Sequence, residues 1–212
     1  MSRLTILCVT LAAGAGICPA QRWEFGGVGG AAVFRPAEAA AGSATADAGF
    51  ASGYVFGVYL GNNVNNYIGG EVRYLYGRSD LQLKSGAAKA TMSGVNHTAH
   101  YDVLVHFAKP DAPVRPFVAA GGGMRLYQGT GAERAAQPLA NLGLLTHASQ
   151  WKPVVSFGGG VKVRLGAHAS LRAEFRDYLT PFPEKVIAPA PRASIKGWLH
   201  GMTALFGIGY VF

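Results

Sequence analysis

Hydrophobic and polar residues alternate with period two along most of the chain, and the alternation is cleanest over 196–212. One row there is Phe212, Tyr210, Ile208, Phe206, Ala204 and Met202; the other is Val211, Gly209, Gly207, Leu205, Thr203 and Gly201. Such a strand sets a large apolar face against a small, crowded one. The same rhythm predicts seven further strands, at 22–34, 49–61, 66–78, 94–108, 115–128, 151–165 and 170–178. Their connections alternate: long at 35–48, 79–93, 129–150 and 179–195, short at 62–65, 109–113 and 166–169.

Each strand sorts its residues into two rows. The second places Phe50, Tyr54, Phe56, Val58 and Leu60 together, and the third opposes Ile68, Val72, Tyr74 and Tyr76 to Glu71 and Arg73. In the fourth, Ala99, Tyr101, Val103, Val105 and Phe107 oppose His100, Asp102, Leu104 and His106. Gly121 and Gly123 share a row with Ala119 and Arg125, and Ser156, Gly158 and Gly160 share one with Lys162 and Arg164. In the seventh, Leu171, Ala173 and Phe175 oppose Arg172, Glu174 and Arg176. The glycines decide which row is inside. A narrow interior packed at native density wants small residues beside a few long ones, whereas a solvent face has no steric need for glycine.

The charged rows therefore face inward and the apolar rows outward, the reverse of a soluble lipocalin-type barrel. Tyr54, Phe56, Tyr74, Tyr76, Tyr101, Phe107, Trp198 and Tyr210 fall on the uncharged rows, many near strand ends where membrane aromatic girdles form. The pattern predicts an all-β protein: an eight-stranded antiparallel up-and-down transmembrane β-barrel with short periplasmic turns and long extracellular loops. A one-residue slip of any strand would turn its charged row into lipid, so register is strongly specified.

Composition agrees. Of 212 residues 50% are hydrophobic and only 14% charged, against about 25% charged in ordinary soluble proteins. Beyond the amino-terminal segment no run approaches the roughly 18 apolar residues of a membrane helix. Residues 1–20 combine Arg3, an apolar stretch over 4–17, and the small residues Cys18 and Ala20, which reads as a signal peptide cleaved before Gln21. Ile17 argues against acylation of Cys18, since a small residue is needed there. Cys8 and Cys18 both leave with the leader, so the mature barrel domain, 21–212, is expected to lack cysteine. The formal charge of +8 loses only Arg3 on cleavage; a basic excess suits a phosphate-bearing lipid surface as well as nucleic acid. Because aromatics and charges lie on opposite faces, they cannot jointly form a base-stacking groove, and no nucleic-acid partner is expected.

The final strand, with apolar residues at alternate positions and Phe212 last, resembles the closing strand of bacterial outer-membrane β-barrels. That resemblance implies that Tyr210 and Phe212 belong to the signal read by the barrel-assembly machinery. YDVLVHFAKPDAPVRPFVAAGGG (101–123) and LRAEFRDYLTPF (171–182) are similar to segments of small OmpA-like and OmpX-like barrels. The likeness implies a Gram-negative outer-membrane location reached by export and a monomer surrounded by lipid; the peptidoglycan-binding module that accompanies the barrel in OmpA is not expected after residue 212, so a cell-wall anchoring role does not carry over. It is silent about activity.

Candidate chemistry is sparse. The inward charges Glu71, Arg73, His100, Asp102, Arg125, Lys162, Arg164, Arg172, Glu174 and Arg176 are expected to form a lumen network. A tight turn near Ala167 and His168 would set Lys162 opposite Glu174 and Arg164 opposite Arg172, with Glu71 and Asp102 at similar height. Eight strands enclose just enough room for side chains, so a plugged barrel with a structural or surface-interaction role is expected, a narrow passive channel being the alternative. A lipid-modifying enzyme is a third reading: His147 and Ser149 have the H-x-S spacing found near the nucleophile of an outer-membrane lipid A deacylase. Here the pair falls in a predicted loop, and no carboxylate follows until Glu174. His100 and His106 would lie about 20 Å apart on an extended strand, too far to share a metal, and hydrogen-bonded lumen histidines are expected instead. Gly27-Val28-Gly29 lacks the helix a phosphate loop needs and is expected to line the narrow barrel. No cofactor is expected.

Overall fold

The computed structural model describes residues 23–212; the expected leader, 1–20, lies outside the described residues. Eight strands close into an antiparallel barrel: β1 (Trp23–Arg35), β4 (Gly53–Asn63), β5 (Ile68–Arg78), β8 (Gly94–His106), β9 (Val114–Gly129), β11 (Ser149–Arg164), β12 (Ala169–Pro181) and β15 (Trp198–Val211). Each pairs with its sequence neighbours in the barrel, and β15 closes the ring on β1 from Glu24↔Val211 to Arg35↔His200. Reciprocal backbone bonds between Trp23 and Phe212, 3.0 and 2.9 Å, finish the seam at the periplasmic end.

Burial alternates along the barrel strands, most cleanly in β8 and β12, as period two requires. The outward row is apolar and open: Phe206 is 70% exposed and Phe212 61%, and Phe25, Phe56, Tyr101, Phe175 and Tyr210 stand outward with them. Parity corrects one assignment. In β1 Gly27 and Gly29 share the outward row with Phe25 and Val33, and it is Gly26, Val28 and Gly30 that take the inward positions.

The long loops are not irregular. They supply seven further strands: β2 (Ala37–Ala41), β3 (Ala44–Phe50), β6 (Leu81–Ser85), β7 (Ala88–Met92), β10 (Gly143–Leu145), β13 (Ile187–Pro189) and β14 (Ser194–Lys196). Five form a sheet in the order β14-β2-β3-β6-β7, and β10 pairs with β13. Two-residue turns make the hairpins, with Gly42 and Gly86 at the first central position adopting φ of 62° and 56°, as glycine-first hairpin turns demand. The lid sheet buries Ala39, Ala46, Ala48, Leu81, Leu83 and Ala90 on one face and keeps Glu38, Asp47, Lys84 and Lys89 on the other.

That buried face joins Leu142, Leu145, Val186 and Ile187 from the other loops and Phe34, Tyr127 and Leu199 from the strand tops in one apolar core. Phe50 corrects the sequence reading. The chain breaks at Ala51 and Ser52, so Phe50 leaves the lipid-facing row of Tyr54 and packs in the lid, 5.3 Å from Phe34 and 5.0 Å from Tyr127. The extracellular mouth is thus stoppered by a small hydrophobic domain of its own.

Because the lid core is distinct from the barrel interior, it should open separately. Leu83 is fully buried between Ala48 and Ala90. Leu83→Ala should remove about 2–5 kcal/mol of lid packing. Trypsin should then cut faster after Lys84 and Lys89 while the barrel keeps its unboiled gel mobility; unchanged cleavage would show that the lid does not depend on this core.

Candidate functional site: the charged barrel interior

At mid-lumen the inward rows bring three carboxylates, Glu71, Asp102 and Glu174, together with three guanidiniums, Arg73, Arg172 and Arg176. Glu71 lies directly opposite Asp102, and Arg73 opposite His100, across the β5–β8 ladder. From the far wall, β12 projects Arg172, Glu174 and Arg176. Glu71 accepts from Arg73 (Nε 2.9 Å, Nη2 2.5 Å) and from Arg172 Nη1 at 2.5 Å. Glu174 is the centre of the set: it accepts from Arg73 Nη1 at 2.6 Å, Arg176 Nε at 3.0 Å and Arg172 Nη2 at 3.2 Å. Arg176 Nη1 continues the chain to Asp102 Oδ2 at 2.8 Å, and His100 Nε2 lies 3.3 Å from the same oxygen. Charge-assisted, forked contacts of this kind are the strong class of hydrogen bond.

The network spans the lumen because its members face each other across the barrel rather than along one ladder. Aromatic faces fill the remaining space. Arg172 stacks over Tyr59 and Phe117, at 4.6 and 4.8 Å from their centroids, an arrangement favourable for a desolvated guanidinium. Glycine makes room for these long side chains. A Cβ on Gly158 would come within 2.8 Å of Arg176 Cδ, and one on Gly160 within 2.7 Å of Glu174 Cβ.

A second, smaller cluster lies nearer the periplasm. Lys162 Nζ pairs with Glu24, which also accepts from Tyr59 OH and Ser170 Oγ, each at 2.9 Å. The β11–β12 register explains why Lys162 does not meet Glu174: the ladder pairs Lys162 with Arg172, Gly160 with Glu174 and Arg164 with Ser170. The hairpin is two residues out of step with the register the turn was expected to impose. Arg164 is corrected as well. It lies outside the lumen at the periplasmic mouth, donating to the carbonyls of Gly166 (2.9 Å) and Asp111 (3.2 Å) and so tying two short turns together.

Arg125 stands above the ionic set, among neutral groups. It donates to Thr98 Oγ1 at 2.7 Å and lies over the Tyr178 ring at 5.0 Å. At the other end Arg115 donates to Asn63 Oδ1 at 2.9 Å and to the carbonyls of Asn66 and Ala108. His106, buried beside Phe117, takes no part in the network. Glu24, Arg115, Tyr59 and Phe117 were missed as site residues. Parity carries Arg115 and Phe117, which share the row of Gly121, Gly123 and Arg125, and Tyr59, which lies opposite the outward row of Tyr54 and Phe56; Glu24 was hidden by the inward assignment of Gly27 and Gly29.

His147 and Ser149 do not assemble. The imidazole Nδ1 is 3.2 Å from the Gly131 carbonyl, and the backbone N–H of His147 donates to Glu133. Ser149, which opens β11 rather than lying in a loop, accepts from Gln128 Nε2 at 3.1 Å.

The family described as the outer membrane protein β-barrel domain matches residues 5–212. Among curated proteins, none matches the chain. Solved structures that share its fold include three outer-membrane barrels. OprG from Pseudomonas aeruginosa has 11% identity and TM-score 0.55, covering 91% of this chain and 96% of its own. Neisserial surface protein A has 13% identity and TM-score 0.54, with 90% and 97% covered. The N-terminal barrel domain of OprF from Pseudomonas aeruginosa has 14% identity and TM-score 0.50, also with 90% and 97% covered. At these identities the likeness is one of fold.

Proposed function

Since this chain belongs to the outer membrane protein β-barrel domain family and so resides in the outer membrane, we propose that it is a non-enzymatic, closed barrel. Its role is structural or interactive at the cell surface, and its lumen is plugged by the charged network. One observation carries the reading. Arg73, Arg172 and Arg176, at the middle of the lumen, are 1%, 2% and 0% exposed, so water reaches them from neither mouth. A water-filled pore would leave those guanidiniums wet. The lid core seals the outer end, and the Glu24–Lys162 pair narrows the inner one. Its expected partners are outer-membrane lipid around a monomer and the assembly machinery during biogenesis.

Planar-bilayer recording tests the plug. Purified wild-type barrel should insert without steady conductance in 1 M KCl, a concentration on the scale at which exposed charges are screened. Steady, large channel openings would overturn the plug and promote the narrow passive channel. Lipid A mass spectrometry on cells expressing the protein should show no change, and a new acylation state would revive the enzyme reading.

A further inference from the structure

The lid sheet ends in an open edge. Strand β7 pairs with β6 on one side only, and among the described residues no backbone bond reaches its other side. Only the Ser93 carbonyl, just past its end, is taken, by the N–H groups of Thr130 and Gly131. Ser85 and Ala88 flank the two-residue turn as the hydrogen-bonded pair, so alternation leaves the backbone groups of Lys89 and Thr91 pointing outward. Gly131 flanks the Met92 end, but among the described residues 88–91 have no backbone partner beyond β6, and an unpaired strand edge on an exposed lid is a template for another chain. The opposite edge, β14, has three residues.

Charge selects what the template accepts. One transverse row of the lid sheet reads Lys196↔Glu38↔Asp47↔Lys84↔Lys89 across its five strands. The row finishes on two lysines directly opposite each other, an arrangement that is destabilising. Beyond Lys89 no strand follows. The 130–138 segment passes alongside and leaves a cleft lined by Lys89, Thr91, Ala132, Arg134, Gln137 and Pro138. Arg134 adds a third cation there, while the neighbouring Glu133 carboxylate is engaged with the His147 backbone.

We propose that the β7 edge is a docking site for an extended acidic segment of a partner protein, which adds as a sixth strand of the lid sheet. Main-chain bonds to Lys89 and Thr91 supply the pairing, and a carboxylate facing Lys89 relieves its repulsion with Lys84. A second copy of this chain fits poorly, because pairing two β7 edges adds a second Lys84–Lys89 pair to the same face and no carboxylate beside Lys89. The inference rests on the surface-interaction reading of the barrel.

The full barrel in nanodiscs is titrated with three fluorescein-labelled octapeptides: one alternating Glu with Val, its Lys counterpart, and the Glu peptide N-methylated at alternate residues. The Glu peptide should bind, and the other two should bind at least tenfold more weakly. Lys89→Glu should invert the preference between the Glu and Lys peptides without altering gel mobility, and Thr91→Pro should abolish binding. Equal binding of the N-methylated peptide would overturn strand addition in favour of simple polyanion attraction, and no binding of the Glu peptide would overturn the site. Either result leaves the bilayer measurement of the plug standing, so the two failures are distinguishable.

Discussion

A Glu174→Ala barrel is expected to melt well below wild type and to admit ions where wild type does not. Glu174 holds three guanidiniums, those of Arg73, Arg172 and Arg176, and its side chain is fully shielded from solvent. Alanine leaves three guanidiniums facing two carboxylates, Glu71 and Asp102, and it removes the bridge between those two ends of the network. Truncating one partner of a buried ionic set costs about 3–5 kcal/mol, because the remaining charge is neither solvated nor paired. The loss should appear as a lower temperature for the shift between folded and boiled gel mobilities. It should persist at high salt, since buried pairs are screened little. Relief comes by drawing in water and anions, so bilayer recordings should show new, anion-preferring openings. Glu24→Ala is the comparison: it frees one cation, Lys162, and the hydroxyls of Tyr59 and Ser170 near the periplasmic mouth, and should cost less. Unchanged melting and conductance in Glu174→Ala would show that the network does not hold the lumen shut.

The second large effect is expected at the seam. Replacing Tyr210 and Phe212 by serine should sharply reduce folded protein in the envelope, read by fractionation and unboiled gel mobility. Both side chains stand more than half exposed on the outward face, stacked 6.3 Å apart, with His168 against Tyr210 at 5.4 Å. Each substitution forfeits about 1.5–3 kcal/mol of apolar transfer into lipid. Deleting Phe212 also removes the reciprocal backbone bonds to Trp23 that finish the β1–β15 closure. Normal envelope yields of both variants would show that neither girdle packing nor seam closure at this end limits assembly.

The ionic interior is not explained by stability alone, because buried ion pairs are often no better than well-packed apolar residues. Register offers the physical reason. With Arg172, Glu174 and Arg176 on alternate positions, a one-residue slip of β12 drives three charges into hydrocarbon, while a slip of an all-apolar strand would be tolerated.

By itself the sequence determined whatever depends on period two. Glu71, Arg73, Asp102, Arg172, Glu174 and Arg176 could be assigned to the interior, and Tyr210 and Phe212 to the lipid face, because side-chain direction in a strand is a local property that no distant residue alters. The hairpins β2–β3 and β6–β7 were legible too, in Gly42-Ser43 and Gly86-Ala87 between alternating alanines and charges, but long polar-looking loops concealed them. Tertiary structure decided what meets what. Lys162 found Glu24 rather than Glu174, and Arg73 reached across the lumen to Glu174, because strand stagger and barrel closure set the heights of facing walls, and neither is written in any one strand. The lid core likewise exists only because closure gathers all four long loops at one mouth, where small apolar faces too weak to fold alone are buried against one another.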